Sequence, residues 1–228
     1  MSQLPATRTL VLSLLLIALG GTAKVGNAEA DRARAKICGS SDGHTVIARD
    51  AEAEVYRLRE HTLAAAKDEY RGCVYGSKRS FRLGRELLLC DPSGCFMVDH
   101  VVLAGTTVAY EMFLTSSFSL VESEWRVAVV DLRSGRVLHK VPTGVTSPPN
   151  KEFVGDGQVT AIVVKPDGAV AWILNTAQSE NRYQVHALDL TGERMLAVGS
   201  NIAPASLALV GSTLYWTQGG KPFSAALD

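Results

Sequence analysis

Apolar and polar residues alternate along most of this chain with a period near two, the spacing of a half-buried β-strand. Runs such as VAVVDL (Val127 to Leu132) and VHALDL (Val185 to Leu190) are rich in β-branched and aliphatic residues. Each is followed by a short segment holding Gly135 or Gly192, a residue that tolerates the positive φ of a tight hairpin.

The alternation recurs as a longer unit. EWRVAVVDLRSGRVLHKV (Glu124 to Val141) matches RYQVHALDLTGERMLAVG (Arg182 to Gly199): an aromatic, alternating apolar positions, Asp-Leu, a turn with Gly, then Arg-x-Leu. Upstream of the two lie AGTTVAYE, around Tyr110, and PDGAVAWIL, around Trp172. The unit reads strand, Gly turn, strand, variable loop, strand, Asp-Leu turn, strand. Two further copies follow from that template, one in LVGSTLYWTQGGKPFSAALD with Gly211 and Trp216, the other between Glu52 and Gly84 with Tyr56, Tyr70 and Leu83. A four-stranded antiparallel unit cannot bury both of its faces alone, so stacking of units is expected to make the core.

One stretch competes with this register. From Asp50 to Tyr70 the apolar positions Ala51, Val55, Leu58, Thr62 and Ala66 approach helical spacing, with Asp50 placed as an N-cap. The repeat makes the same stretch strand, loop and strand, and the recurrence of the repeat favours that reading.

The amino terminus departs from the pattern. Arg8 precedes the unbroken apolar run LVLSLLLIAL (Leu10 to Leu19), followed by small residues with cleavage sites after Ala23, Ala28 or Ala30. Residues 1–30 are read as an export signal and 31–228 as one repeat domain, with units at about 44–85, 86–142, 158–199 and 200–228. An apolar run of about ten residues is short against the roughly twenty of a membrane-spanning helix, so no membrane span is expected after cleavage. Twenty-three basic and twenty-three acidic residues balance and are scattered, leaving no electrostatic footprint for nucleic acid. The expected location is extracytoplasmic: periplasmic, envelope-associated or secreted.

Export changes the reading of the four cysteines, Cys38, Cys73, Cys90 and Cys95. In an oxidising compartment an even number favours disulfides over zinc or thiol chemistry. Of three connectivities, Cys90 with Cys95 is preferred because DPSG between them makes a tight turn, which leaves Cys38 with Cys73.

The string ALDLTGERML resembles the A-L-D-x-x-T-G-x-x-x-W repeat of the PQQ-like β-propellers, and more loosely the WD40-like and TolB-like blades of secreted bacterial proteins. The resemblance runs from about Ala51 to the end and implies an all-β fold of about four antiparallel propeller-like blade units, an incomplete or open propeller. The closing tryptophan of such repeats is replaced by Leu196 and Ala197 in one unit and by His139 and Lys140 in another. There are too few blades for a quinoprotein enzyme, so the resemblance implies no cofactor.

Searching for chemistry yields little. The five histidines (His44, His61, His100, His139, His186) form no H-E-x-x-H pair, and no G-x-S-x-G or P-loop motif occurs. Asp42, Asp156 and Asp167 precede glycines as hairpin turns require and fit no calcium loop. Asp131 and Asp189 hold equivalent positions, suited to accepting N–H bonds from the turns that follow them. Tyr56, Tyr110, Trp172 and Trp216 also match and are expected to pack between units. Their sharper reading is a ligand-binding row, with Trp172, Tyr215 and Trp216 as candidate binding aromatics.

No catalytic, cofactor-binding or metal residue is assigned. The expectation is an exported noncatalytic scaffold binding a protein or envelope glycan through the loops Leu114 to Glu124 and Pro142 to Gly157. The alternative is a small extracytoplasmic propeller-type hydrolase or lyase with an axial site. It requires acidic and histidine side chains converging in one pocket. Aligned with YQVHALD, the segment KPFSAALD stops where a final strand would follow. Its edge, Phe223 to Leu227, is expected to be paired by Lys36 to Ala48, by a partner, or by a second copy of the chain.

Overall fold

The computed structural model describes Cys38 and residues 44–61, 66–77, 79–87, 95–115, 123–146, 157–176 and 182–228. Within them are fifteen strands and no helix. The first sheet joins β1 (His44–Arg49), β2 (Ala53–His61), β3 (Ala66–Val74) and β4 (Ser80–Leu87). The second joins β5 (Cys95–Ala104), β6 (Thr107–Thr115), β7 (Ser123–Asp131) and β8 (Arg136–Thr146). β9 (Gln158–Val164), β10 (Val170–Asn175), β11 (Tyr183–Asp189) and β12 (Gly192–Gly199) make the third, and β13 (Ala208–Val210), β14 (Thr213–Gln218) and β15 (Lys221–Ala226) the fourth. Each sheet is antiparallel, with strands paired in chain order.

These are the strands that the repeat predicts, including a β2–β3 hairpin where helical spacing competed. Ala53 and Val55 of that stretch face a neighbouring sheet and are fully buried, which favours the strand. Tertiary burial outweighs a short-range helical preference.

Packing between sheets makes the core. One apolar cluster unites Val55, Tyr70 and Leu83 of the first sheet with Val108, Tyr110 and Met112 of the second. A second cluster joins Val127 and Val129 to Val159, Val170 and Trp172. A third joins Ile173 and Val185 to Leu214 and Trp216. The matched aromatics therefore plug successive interfaces, Tyr110 at 4%, Trp172 at 1% and Trp216 at 5% exposure.

The first strands of the sheets adjoin one another, β1 against β5 and β5 against β9, as the inner strands of propeller blades do. Two turn glycines are required by geometry. Gly135 and Gly192 have φ of 74° and 101°, and the Phe81 ring lies where a Cβ on Gly135 would stand.

Cys38 is bonded to Cys73, with Cα atoms 5.8 Å apart, and packs with Tyr56. The Cys90 to Cys95 pairing lies outside the described side chains, as do residues 1–30 and most of the two recognition loops. The segment proposed to close the last sheet instead supplies β1, which pairs with β2. Among the described residues β15 pairs only with β14. Leu227 N–H donates to Ser212 O at 2.9 Å, and by antiparallel alternation Pro222 then turns its nitrogen to the open edge, where no donor is needed.

Candidate functional site

The interface between the second and third sheets buries a charge among apolar residues. Alternation along β6 sends Tyr110 and Met112 to the first sheet and Glu111 the other way, towards β9. Glu111 is 1% exposed. Its Oε1 accepts the Val159 N–H at 2.6 Å, and its Oε2 lies 3.2 Å from His100 Nδ1.

A bulge in β5 brings His100 there. Asp99 pairs with Glu111 and Val102 with Ala109, so His100 and Val101 fall within a break in the register. His100 has φ of 50°, the one positive φ outside glycine among the described residues. Neighbouring residues of a regular strand point to opposite faces. Here the bulge returns His100 to the side of its neighbour, with Nδ1 3.8 Å from Asp99 Oδ2 and 3.2 Å from Glu111. Bulges that re-aim a side chain in this way are common beside active sites.

The electrostatics follow from burial and from the pairing. Burial raises the Glu111 carboxyl above its ordinary range, against the opposing hydrogen bonds from His100 and Val159. The hydrogen bond to Glu111 raises His100, with burial opposing it and the charges of Asp99 and Glu111 adding to it.

A cavity of about 30 Å³ adjoins the group, lined by Met97, Asp99, Glu111, Phe113, Trp125 and Gln158. About 10–15 Å³ measured in this way holds one water. Asp99, with a side chain 71% exposed, stands at its solvent side. Trp125 packs its ring 4.5 Å from Phe113 and is 7% exposed. Its indole N–H has no acceptor among the described residues. A buried donor without a partner is a group that an ordered oxygen would satisfy. The Asp99, His100 and Glu111 donor atoms all lie within 4.8 Å of one another, close enough to hold one cation. The other such group, Cys38, Glu54 and Cys73, has its sulfurs committed to the disulfide.

The residues singled out by sequence lie elsewhere. Trp172 and Trp216 are core side chains, Trp172 stacked on His186 with centroids 5.4 Å apart. Tyr215 faces away from Trp216 and is 40% exposed. None of the three lines the Glu111 cavity. Asp131 and Asp189 make the expected turns: Asp131 Oδ1 accepts Arg133 N–H, and Asp189 Oδ1 accepts Thr191 N–H, both at 2.9 Å.

Sequence reasoning missed Glu111, His100 and Trp125. Two signals were present: a lone acid inside the apolar run VAYEMFL, and the loss of alternation in VDHVVL.

No protein-family model matches the sequence, and no curated protein matches it. The resemblance to PQQ-like, WD40-like and TolB-like repeats is therefore kept at the level of β-propeller blades. Solved structures similar to the chain include a GH43 β-1,3-galactosidase at 13% identity and TM-score 0.34, covering 75% of this chain and 38% of that one. An exo-β-1,3-galactanase from Phanerochaete chrysosporium, solved with β-1,3-galactotriose, is similar at 12% identity and TM-score 0.35, covering 82% and 47%. The β-propeller domain of the trilobed protease from Pyrococcus furiosus, which has an open velcro topology, is similar at 6% identity and TM-score 0.23, covering 83% of each. The chain spans less than half the length of either glycoside hydrolase.

One finding overturns the expectation of a noncatalytic binding scaffold. That reading relied on there being no convergence of acidic and histidine groups, and Asp99, His100 and Glu111 converge.

Proposed function

We propose that this protein is a small extracytoplasmic hydrolase whose reacting water occupies the cavity between Glu111 and Trp125. The observation that carries the reading is one water-sized space lined both by the buried Glu111 and by Trp125, whose indole N–H has no acceptor among the described residues. A water there donates to Glu111 and accepts from Trp125, so its lone pair is oriented and its proton has a destination. His100 fixes the Glu111 carboxyl through its 3.2 Å contact, and the Val159 N–H holds the other oxygen. The scissile group enters from the side of Asp99 and Met97, where the lining is exposed. The Cys38–Cys73 disulfide is consistent with an extracytoplasmic protein, and the apolar amino-terminal run supports export into the envelope or the medium. Among the described residues, no helix is long and apolar enough to cross a membrane.

The test is turnover of a panel of p-nitrophenyl glycosides, esters and phosphates by the purified protein and by Glu111→Gln. Glutamine keeps an oxygen for the Val159 N–H but cannot take a proton. Loss of a positioned general base lowers kcat by about 10²–10⁴-fold. The expected result is turnover of at least one substrate, lost to that extent in the variant with melting temperature retained. A wild-type rate equal to buffer across the panel, or equal rates in wild type and Glu111→Gln, overturns the reading.

A further inference from the structure

Three features of the inner-strand site are more than a carboxyl and a histidine need in order to share a proton. Asp99 and His100 are consecutive in a strand yet converge on the same carboxylate, through a bulge and a positive φ at His100. The oxygen of Glu111 that faces away from them is anchored by a backbone N–H of the next sheet, which fixes the orientation of the other. Asp99 and Glu111 also line one cavity together with Trp125, whose buried indole N–H has no acceptor among the described residues. Together these describe three donors within reach of one ion and an anchoring outer contact.

We propose that Asp99, His100 and Glu111 bind one divalent cation of the zinc type, leaving a coordination position directed at the Trp125 cavity. Tetrahedral bonds of about 2.0–2.2 Å separate neighbouring ligand atoms by about 3.3–3.6 Å. The separations here, 3.2 Å from His100 Nδ1 to Glu111 Oε2 and 3.8 Å to Asp99 Oδ2, bracket that edge. Small rotations of the exposed Asp99 side chain close the difference. One imidazole and two carboxylates suit zinc or a similar first-row ion. Calcium takes about six to eight oxygens, and three protein donors including a nitrogen fall short of that. Three protein ligands with a fourth position open distinguish reactive zinc sites from structural ones. A water on that fourth position supplies the acceptor that the Trp125 N–H lacks. The Val159 N–H on Glu111 is the kind of outer contact that holds a ligating carboxylate in place.

With the ion bound, Glu111 is a ligand, and the ion's polarisation of the reacting water stands in for direct proton acceptance by Glu111 in the hydrolase reading on which the inference rests; binding of the ion is measured without substrate. The experiment titrates zinc chloride into the tag-free, chelator-treated full chain, followed by calorimetry and tryptophan fluorescence, with magnesium and calcium as comparison ions. The expected result is one zinc per chain, a melting temperature that rises with zinc, and affinity at least 100-fold weaker in His100→Ala and in Glu111→Gln. His139→Ala, distant from the site, retains wild-type affinity. Cobalt in place of zinc should give the intense visible absorption of a four-coordinate ion. Asp99→Asn, on an exposed side chain, provides a well-folded ligand variant should Glu111→Gln melt early, and its expected loss is about tenfold or more.

Wild-type zinc affinity in His100→Ala and Asp99→Asn, or no zinc-dependent signal in the wild type, overturns the proposal. The two readings fail separately. Zinc bound with these losses but no turnover of any substrate removes only the hydrolase. Turnover that depends on Glu111 yet is unchanged by chelation and by added zinc removes only the metal.

Discussion

Single side chains set the pH limits of the fold. Burial alone would raise the Asp189 carboxyl, but the Thr191 hydroxyl and N–H, the Asp228 N–H and the neighbouring Arg194 guanidinium hold it at about 2. A carboxyl depressed in the folded chain adds stability above its ordinary value near 3.8, and that stability is lost as pH falls through about 2. Acid unfolding of the wild type should therefore begin below about pH 4, and Asp189→Asn should flatten that part of the profile while lowering stability at neutral pH. Thermal melts between pH 2 and 7 measure both effects. At the other extreme, burial pushes the Tyr110 hydroxyl up to about 12, while its O–H donates to Leu83 O at 3.1 Å. Its stabilising effect is complete below the ordinary value near 10 and fades as pH rises towards 12. Tyr110→Phe should shift the onset of alkaline unfolding upward, at the cost of one buried hydrogen bond, about 1 kcal/mol, at neutral pH. An unshifted onset would show that another group governs that limit.

Strands and turns were the most legible level of the sequence, for a physical reason. The period of two, the Gly turns and the recurrent aromatic all report on local backbone and on one buried face, and Tyr110, Trp172 and Trp216 sit where the recurrence placed them. Glu111 and His100 were not legible as a pair because their meeting depends on an irregularity. A register read by alternation sends residue 100 away from residue 99, and only the bulge in β5 reverses it. Likewise, Trp125 aligned with Tyr183 as a structural aromatic, and nothing in the chain order indicated that it lines a cavity with Glu111. Two expectations belong to this level. Trp172→Ala opens a void between the second and third sheets and should cost about 3–5 kcal/mol in denaturant unfolding. Gly135→Ala must adopt a φ of 74° and push its Cβ into the Phe81 ring. It should destabilise by at least about 1 kcal/mol, whereas the same change at an extended-strand position without a neighbour would not.

At the scale of the molecule, each described sheet packs on the next, and the Cys38–Cys73 disulfide reinforces the beginning of the array. Cys38 and Cys73 close a loop with a sequence separation of 35, for which chain entropy gives about 3–4 kcal/mol. Replacing both with serine should lower stability by up to that amount in the purified protein. The same architecture brings Glu111 and His100 together. The second and third sheets pack together, so a side chain from the β5 bulge and an N–H from β9 both reach the Glu111 carboxyl on β6. The most direct test of that account is a double-mutant cycle on kcat with Glu111→Gln and Trp125→Phe, using whichever panel substrate the wild type turns over. If both groups act on one water, each single change lowers kcat and the double variant is scarcely slower than Glu111→Gln alone. Full activity in Trp125→Phe, or losses that simply multiply, would contradict it.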